Sequence, residues 1–173
     1  DFSKISLALD SLSKVPIFVD DTPSPTVLQI RAMARRLRSR NNLGLLVVDY
    51  LQLVQPRSDI DGYVQQVTDV ANSLKALARE LNIPIIAVSQ LSRAVEARPD
   101  QRPRLSDLRE SGGIEQAADL VMFIHREDKV RRDSDRKNIA EVIIAKHRNG
   151  PTGVIELYFD EEEVSFKNLA KNI

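Results

Sequence analysis

The sequence predicts an α/β fold, a parallel sheet flanked by helices and followed by an antiparallel hairpin at the C-terminal end. Three observations carry that expectation. Leu45-Leu-Val-Val48 and Pro84-Ile-Ile-Ala-Val88 are continuous apolar runs, the pattern of strands buried on both faces of a parallel sheet. Amphipathic helical patterns alternate with these runs, as βαβ units wound right-handedly require. Ala140 to Lys146 and Val154 to Phe159 are strand-like segments separated by Asn149-Gly-Pro151, a hairpin signal.

Taken in order, Phe2, Ile5, Leu9 and Leu12 recur at helical spacing within the first fourteen residues. Pro16-Ile-Phe-Val19 reads as a short strand ending at Asp20-Asp21. In Thr22-Pro-Ser-Pro25, Ser24 suits a helix N-cap and Pro25 the first helical position. The next helix places Val27, Ile30, Met33, Ala34 and Leu37 on one face. Arg31, Arg35, Arg36, Arg38 and Arg40 crowd the remainder, either as a solvated outer face or as a contact for DNA or a second subunit. Gln55 to Gly62 is a polar loop. A long helix starts near Tyr63, carries Val67, Val70, Ala71, Leu74, Leu77, Ala78 and Leu81, and stops at Asn82 and Pro84. Leu91 to Arg109 should be loop, followed by a short helix through Gln116 and a third apolar strand, Leu120 to Ile124. Arg126 to Lys137 alternates charges without an apolar pattern and reads as a mobile surface loop. Glu161-Glu-Glu163 forms a turn before a short last strand, Val164 to Phe166.

With 173 residues, 42% hydrophobic and 29% charged, the chain has the composition of one ordinary globular domain. Lys and Arg together balance Asp and Glu at 25 each, so affinity for a nucleic acid would have to come from local patches. The absence of cysteine excludes disulfides and thiolate metal sites. His125 and His147 are too few for a histidine-based one. There is no membrane span or signal-peptide pattern, and a cytoplasmic location is the simplest fit.

Two strand exits carry chemistry. Asp49 ends the first buried run, where a carboxylate would be costly to bury unpaired and would instead face the crevice at the carboxyl ends of the strands. It is either a strand cap or a Walker-B aspartate that holds the magnesium of a nucleotide. Gln90 ends the second run. None of the six glycines fits G-x-x-x-x-G-K-[ST], so this stretch of sequence holds no P-loop.

Six segments, in order, resemble successive motifs of the bacterial replicative DNA helicase of the DnaB type. They are Leu46-Val-Val-Asp-Tyr-Leu-Gln-Leu53, Ser73-Leu-Lys-Ala-Leu-Ala-Arg-Glu-Leu81, Ser89-Gln-Leu-Ser-Arg93, Ser106-Asp-Leu-Arg-Glu-Ser-Gly112, Ile114-Glu-Gln-Ala-Ala-Asp119 and Ala145-Lys-His-Arg-Asn-Gly-Pro151. The resemblance runs from about Pro16 to Phe166. It implies a RecA-like core, with residues 1–173 read as a single, partial domain whose P-loop and catalytic glutamate would precede Asp1.

Residue by residue, the resemblance makes Asp49 the Walker-B aspartate that holds Mg2+ through water and Gln90 the sensor of the ATP γ-phosphate. Lys146 and Arg148 match a pair entering the neighbouring subunit's nucleotide site, with Arg148 as arginine finger. Alternation along a strand puts both on one face. His147 stands where the family usually has glutamine, on the other face. Arg109, Glu110 and Gly112 match the loop that binds single-stranded DNA through its phosphates, a mode without sequence readout. ATP, Mg2+, single-stranded DNA, a homo-hexamer, primase and a helicase loader are the ligands and partners that the resemblance implies. An isolated chain lacking the P-loop is expected to be inactive. The alternatives are a non-catalytic DNA-binding or ring scaffold and a recombinase-type RecA-like ATPase. Lone strand caps, a cationic hairpin edge and an ordinary glycine turn are the plain structural readings of the same residues.

Overall fold

The computed structural model describes residues 2–57, 60–111, 113–131 and 133–169. Helix α1 (Phe2–Ser13) forms where the periodicity places it, but none of its residues is buried. The expected strand at Pro16–Val19 does not form, because no neighbouring strand among the described residues pairs with its backbone. An apolar run becomes a strand only when its amides find a ladder partner.

Helix α2 (Val27–Asn41) starts two residues later than expected. Its N-cap is Thr26, not Ser24. Gln29 supplies what Ser24 lacks: the Thr26 hydroxyl accepts from Gln29 N at 3.2 Å, and Gln29 Oε1 accepts from Thr26 N at 2.8 Å. That reciprocal capping box satisfies two otherwise orphaned donors. Ile30 and Ala34 are buried, while the arginine row finds acids outside its own helix. Arg31 and Arg35 both bind Glu80, Arg31 at 2.6 Å. Arg38 donates to Asn42 Oδ1 and Leu43 O.

Strand β1 (Leu46–Val48) pairs in parallel with β2 (Ile85–Ala87) in the register Leu46–Ile85, Val47–Ile86 and Val48–Ala87. The connecting helix α3 (Tyr63–Leu81) buries Val67, Val70, Ala71, Leu74 and Leu77 and ends at Asn82 in the left-handed conformation. Burial on both faces of the strands is not what the structure shows. Val48 is buried, but Val47 is 55% exposed and Ile86 is 47% exposed. Among the described residues a helical layer covers one face only, and composition cannot report which faces have partners.

The third apolar run does not extend this parallel pair. Strand β3 (Leu120–His125) opens a four-stranded antiparallel meander with β4 (Ile139–His147), β5 (Gly153–Asp160) and β6 (Ser165–Asn168). Burial alternates along β3, with Val121, Phe123 and His125 inward. Val121 and Phe123 join α3, Val48 and Leu51 in one apolar core, so the two sheets share it. The short helix α4 (Ile114–Ala117) docks Ile114 on that core just before β3.

The segment expected as a mobile charged loop contains helix α5 (Glu127–Val130) and a set of paired charges. Arg126 binds Asp128 at 2.7 Å and Glu161 at 2.8 Å, and its guanidinium lies 4.4 Å from the Phe159 ring centre. Arg126 and Lys129, which look solvated in sequence, are both partnered by Glu161 of the β5–β6 turn.

Candidate functional site

Parallel pairing of β1 with β2 makes both strands leave the sheet at the same edge. Pairing continues past the strands through Val88 N to Val48 O and Leu51 N to Val88 O, each 2.9 Å. Asp49, directly after β1, and Gln90, three residues after β2, therefore lie at the same rim. Both are exposed. Neither side chain has a hydrogen-bond or ion-pair partner among the described residues.

The chain after β1 turns through Leu51–Leu53 and returns Gln52 to that rim. Gln52 Oε1 accepts from the Gln90 amide at 3.4 Å, and Gln52 Nε2 donates to Ser89 Oγ at 3.1 Å. This bridge anchors the backbone on which Gln90 sits and leaves the Gln90 side chain free. Gln52, Tyr63, Gln90, Leu91, Ser92, Arg93 and Ala94 line an open cleft of about 350 Å³. Sequence reasoning assigned no role to Gln52 or Tyr63. The signal that would have found Gln52 is its place three residues after Asp49, within reach of a neighbouring strand exit.

Beyond the cleft, Ser92 N donates to Asp107 O at 3.0 Å, which ties the Gln90 segment to the base of the turn Leu105–Ser111. Asp107 is only 4% exposed. Its carboxylate takes a bidentate pair from Arg98, at 2.8 and 2.6 Å, and a third bond from Arg104 N at 2.7 Å. Arg98 also donates to Arg102 O at 2.7 Å. The Arg98 guanidinium holds the Asp107 carboxyl below the usual carboxylate range, against the opposing effect of burial. Of the residues expected to face a nucleic acid, Gly112 and the side chains of Arg109 and Glu110 lie outside the described residues. Directly after them, Gly113 N donates to Thr68 Oγ1 on α3 at 2.9 Å.

Lys146 and Arg148 lie at the far end of β4, where Lys146 pairs with Val121 and His147 with Leu120. No hydrogen bond or ion pair links either cation to Asp49 or Gln90 among the described residues. Both turn to α4: Lys146 donates to Glu115 O and Arg148 to Gln116 O. Arg148 also pairs with Asp119 Oδ1 at 3.0 Å, while Lys75 of α3 takes the other oxygen. Hydrogen bonding from Lys75, assisted by the Arg148 charge, lowers the Asp119 pKa. His147 points elsewhere, with Nδ1 3.3 Å from Pro151 O.

The arrangement holds a carboxylate and an amide without partners among the described residues at one rim, a buried-aspartate turn beyond it, and two cations at a separate edge. Comparison with known proteins gives a consistent picture. The family model described as the DnaB-like helicase C-terminal domain matches residues 1–168. The replicative DNA helicase DnaB of Geobacillus stearothermophilus is 52% identical over 172 residues, covering 99% of this chain and 38% of that protein. The replicative DNA helicase DnaC of Bacillus subtilis is 48% identical over the same length and share. A solved ATPase domain superposes with a TM-score of 0.92 at 43% identity, over 97% of this chain and 60% of that one. A solved DnaB-like replicative helicase, described with its interactions with primase, gives 0.91 at 43% identity, over 97% of this chain and 41% of that one. The chain spans about 38% of the length of the two helicases it matches in sequence. From these matches, the chain belongs to the DnaB-like helicase C-terminal domain family.

Proposed function

We propose that this chain is part of the motor of a hexameric replicative DNA helicase, acting in the cytoplasm at the replication fork. The full-length protein hydrolyses ATP with Mg2+ and moves along single-stranded DNA. The observation that carries this reading is the rim where β1 and β2 end, which presents Asp49 and Gln90 with neither side chain committed to another among the described residues. A carboxylate serving only as a strand cap would be bonded to nearby backbone.

The residues present fit magnesium and a nucleotide. Among the described residues no cluster of three or more metal-ligating side chains exists, and Asp49 is a single exposed carboxylate. That suits a magnesium ion held through its water shell and chiefly by phosphate oxygens. Bound there, the ion supplies neutralisation of phosphate charge. Gln90, whose amide both donates and accepts, orients against the terminal phosphate or a water beside it. Lys146 and Arg148 act on the site of a neighbouring subunit, where Arg148 stabilises negative charge developing on the transferred group.

The turn Leu105–Ser111, with Gly112, is the DNA-contacting element: Arg109 pairs with a phosphate, and the amides of Glu110 and Gly112 donate to phosphate oxygens. Such contacts position a strand without reading its bases. Primase and a loader are the further partners that this family reading implies. The test is ATP hydrolysis by the full-length protein with single-stranded DNA. Arg148→Ala should lower kcat by about a thousandfold, in line with loss of an arginine finger, and Asp49→Ala should lower it through loss of the magnesium ligand. Turnover near the parent rate in both variants overturns the proposal.

A further inference from the structure

We propose that Asp119 is a positioning residue for Arg148, fixing where that guanidinium points and linking it to the turn Leu105–Ser111 through α4. This inference rests on the reading of Arg148 as the cation that acts on a neighbouring nucleotide site.

Asp119 addresses Arg148 twice. Its carbonyl oxygen accepts from Arg148 N at 2.8 Å, the contact just beyond the Leu120–His147 pair of the β3–β4 ladder. Its carboxylate Oδ1 pairs with Arg148 Nη1 at 3.0 Å. The backbone contact sets where residue 148 begins, and the carboxylate sets the direction of its side chain. A second guanidinium nitrogen reaches Gln116 O at 3.4 Å, and Lys146 reaches Glu115 O. Both cations are therefore referenced to the carbonyls of α4. That helix follows Gly113, whose amide is held by Thr68. Helix α4 therefore carries the carbonyl acceptors of both cations and leads through Ala118 to Asp119.

The Asp119 carboxylate is shared. Lys75 takes Oδ2 while Arg148 takes Oδ1, so the carboxylate bridges α3 and the end of β4. The Asp119 and Arg148 side chains are 52% and 45% exposed. Exposed ion pairs of this kind contribute little to folding, so the arrangement matters for direction more than for stability. Exposure also leaves the guanidinium able to face outward.

The experiment uses the full-length protein and measures kcat and KM for ATP with and without single-stranded DNA. Asp119→Asn should lower DNA-stimulated kcat about tenfold and leave the KM for ATP within about twofold, as expected when a transition-state contact is misdirected. Asp119→Glu should recover part of the loss. In the Arg148→Ala background, Asp119→Asn should have no further effect, because its target is gone. Lys75→Met, which leaves the carboxylate to Arg148 alone, should keep kcat within about twofold of the parent. A parent-like kcat in Asp119→Asn overturns the inference. So does a loss in the double variant equal to the product of the single losses, or a loss in Lys75→Met matching that of Asp119→Asn. If Asp119→Asn does not fold, the Lys75→Met result decides between a positioning carboxylate and a mere α3 tether. If Arg148→Ala itself turns over normally, the proposed role of Arg148 fails first, a result distinct from failure at Asp119 alone.

Discussion

Replacing Gly113 by alanine places a methyl group 2.3 Å from Thr68 Cγ2 and 3.0 Å from Thr68 Cβ and Oγ1. The backbone at Gly113 has φ −98° and ψ −5°, which alanine tolerates, so the penalty is steric. Thr68 cannot easily yield. It is β-branched within α3, and its hydroxyl donates to Val64 O at 2.7 Å while accepting from Gly113 N at 2.9 Å. Overpacking a tight contact costs about 1–3 kcal/mol. Losing the Gly113–Thr68 bond adds about 1 kcal/mol. The reduced freedom of the unfolded chain returns about 0.5–1 kcal/mol. The net loss is about 2 kcal/mol, and with a urea slope of about 2 kcal/mol/M the midpoint falls by about 1 M. Urea unfolding of the chain, followed by circular dichroism, measures this directly. Thr68→Ser in the Gly113→Ala background removes the closest carbon, keeps the hydroxyl, and should restore about half of the shift. A Gly113→Ala midpoint within about 0.25 M of the parent would refute the reasoning. A double variant no more stable than the single one would show that the clash is not the cause.

Leu77 is 2% exposed at the centre of the shared core, and Leu77→Ala should cost about 2–5 kcal/mol in the same assay. Leu28, 73% exposed on the same helical layer, serves as the control, and Leu28→Ala should stay within about 0.5 kcal/mol of the parent. The Asp107 carboxyl is held below its ordinary range by Arg98, so its contribution to stability is present above the unfolded pKa of about 4 and is lost as pH falls through the folded value. Asp107→Asn should therefore be less stable than the parent at neutral pH, with the gap closing as the solution is acidified from about pH 5 to about pH 2. A gap independent of pH in urea titrations would show that the Asp107 charge does not matter.

Local pattern by itself determined the helices α2 and α3, the two parallel strands, the hairpin of β4 and β5, and the position of Asp49 and Gln90 at strand exits. Each of these depends on the spacing of apolar residues within about twenty positions, and that spacing is written in the sequence. The order of motifs was likewise legible, because it needs no knowledge of contacts. Tertiary structure decided everything that joins distant positions. Glu80 partners Arg35, 45 residues upstream, Gln52 bridges to the next strand exit, and Arg98 neutralises the buried charge of Asp107. Two of the misjudged stretches fail for the same reason. Pro16–Val19 has a strand's composition without a strand beside it among the described residues, and Arg126–Lys137 has a solvated loop's composition although its Arg126 is held by Glu161 and Phe159. A side chain's chemistry is local, whereas its partner is chosen by how the elements pack. That is why Arg148 was legible as a cation on a hairpin, and Asp119 emerged as its anchor only in the folded chain.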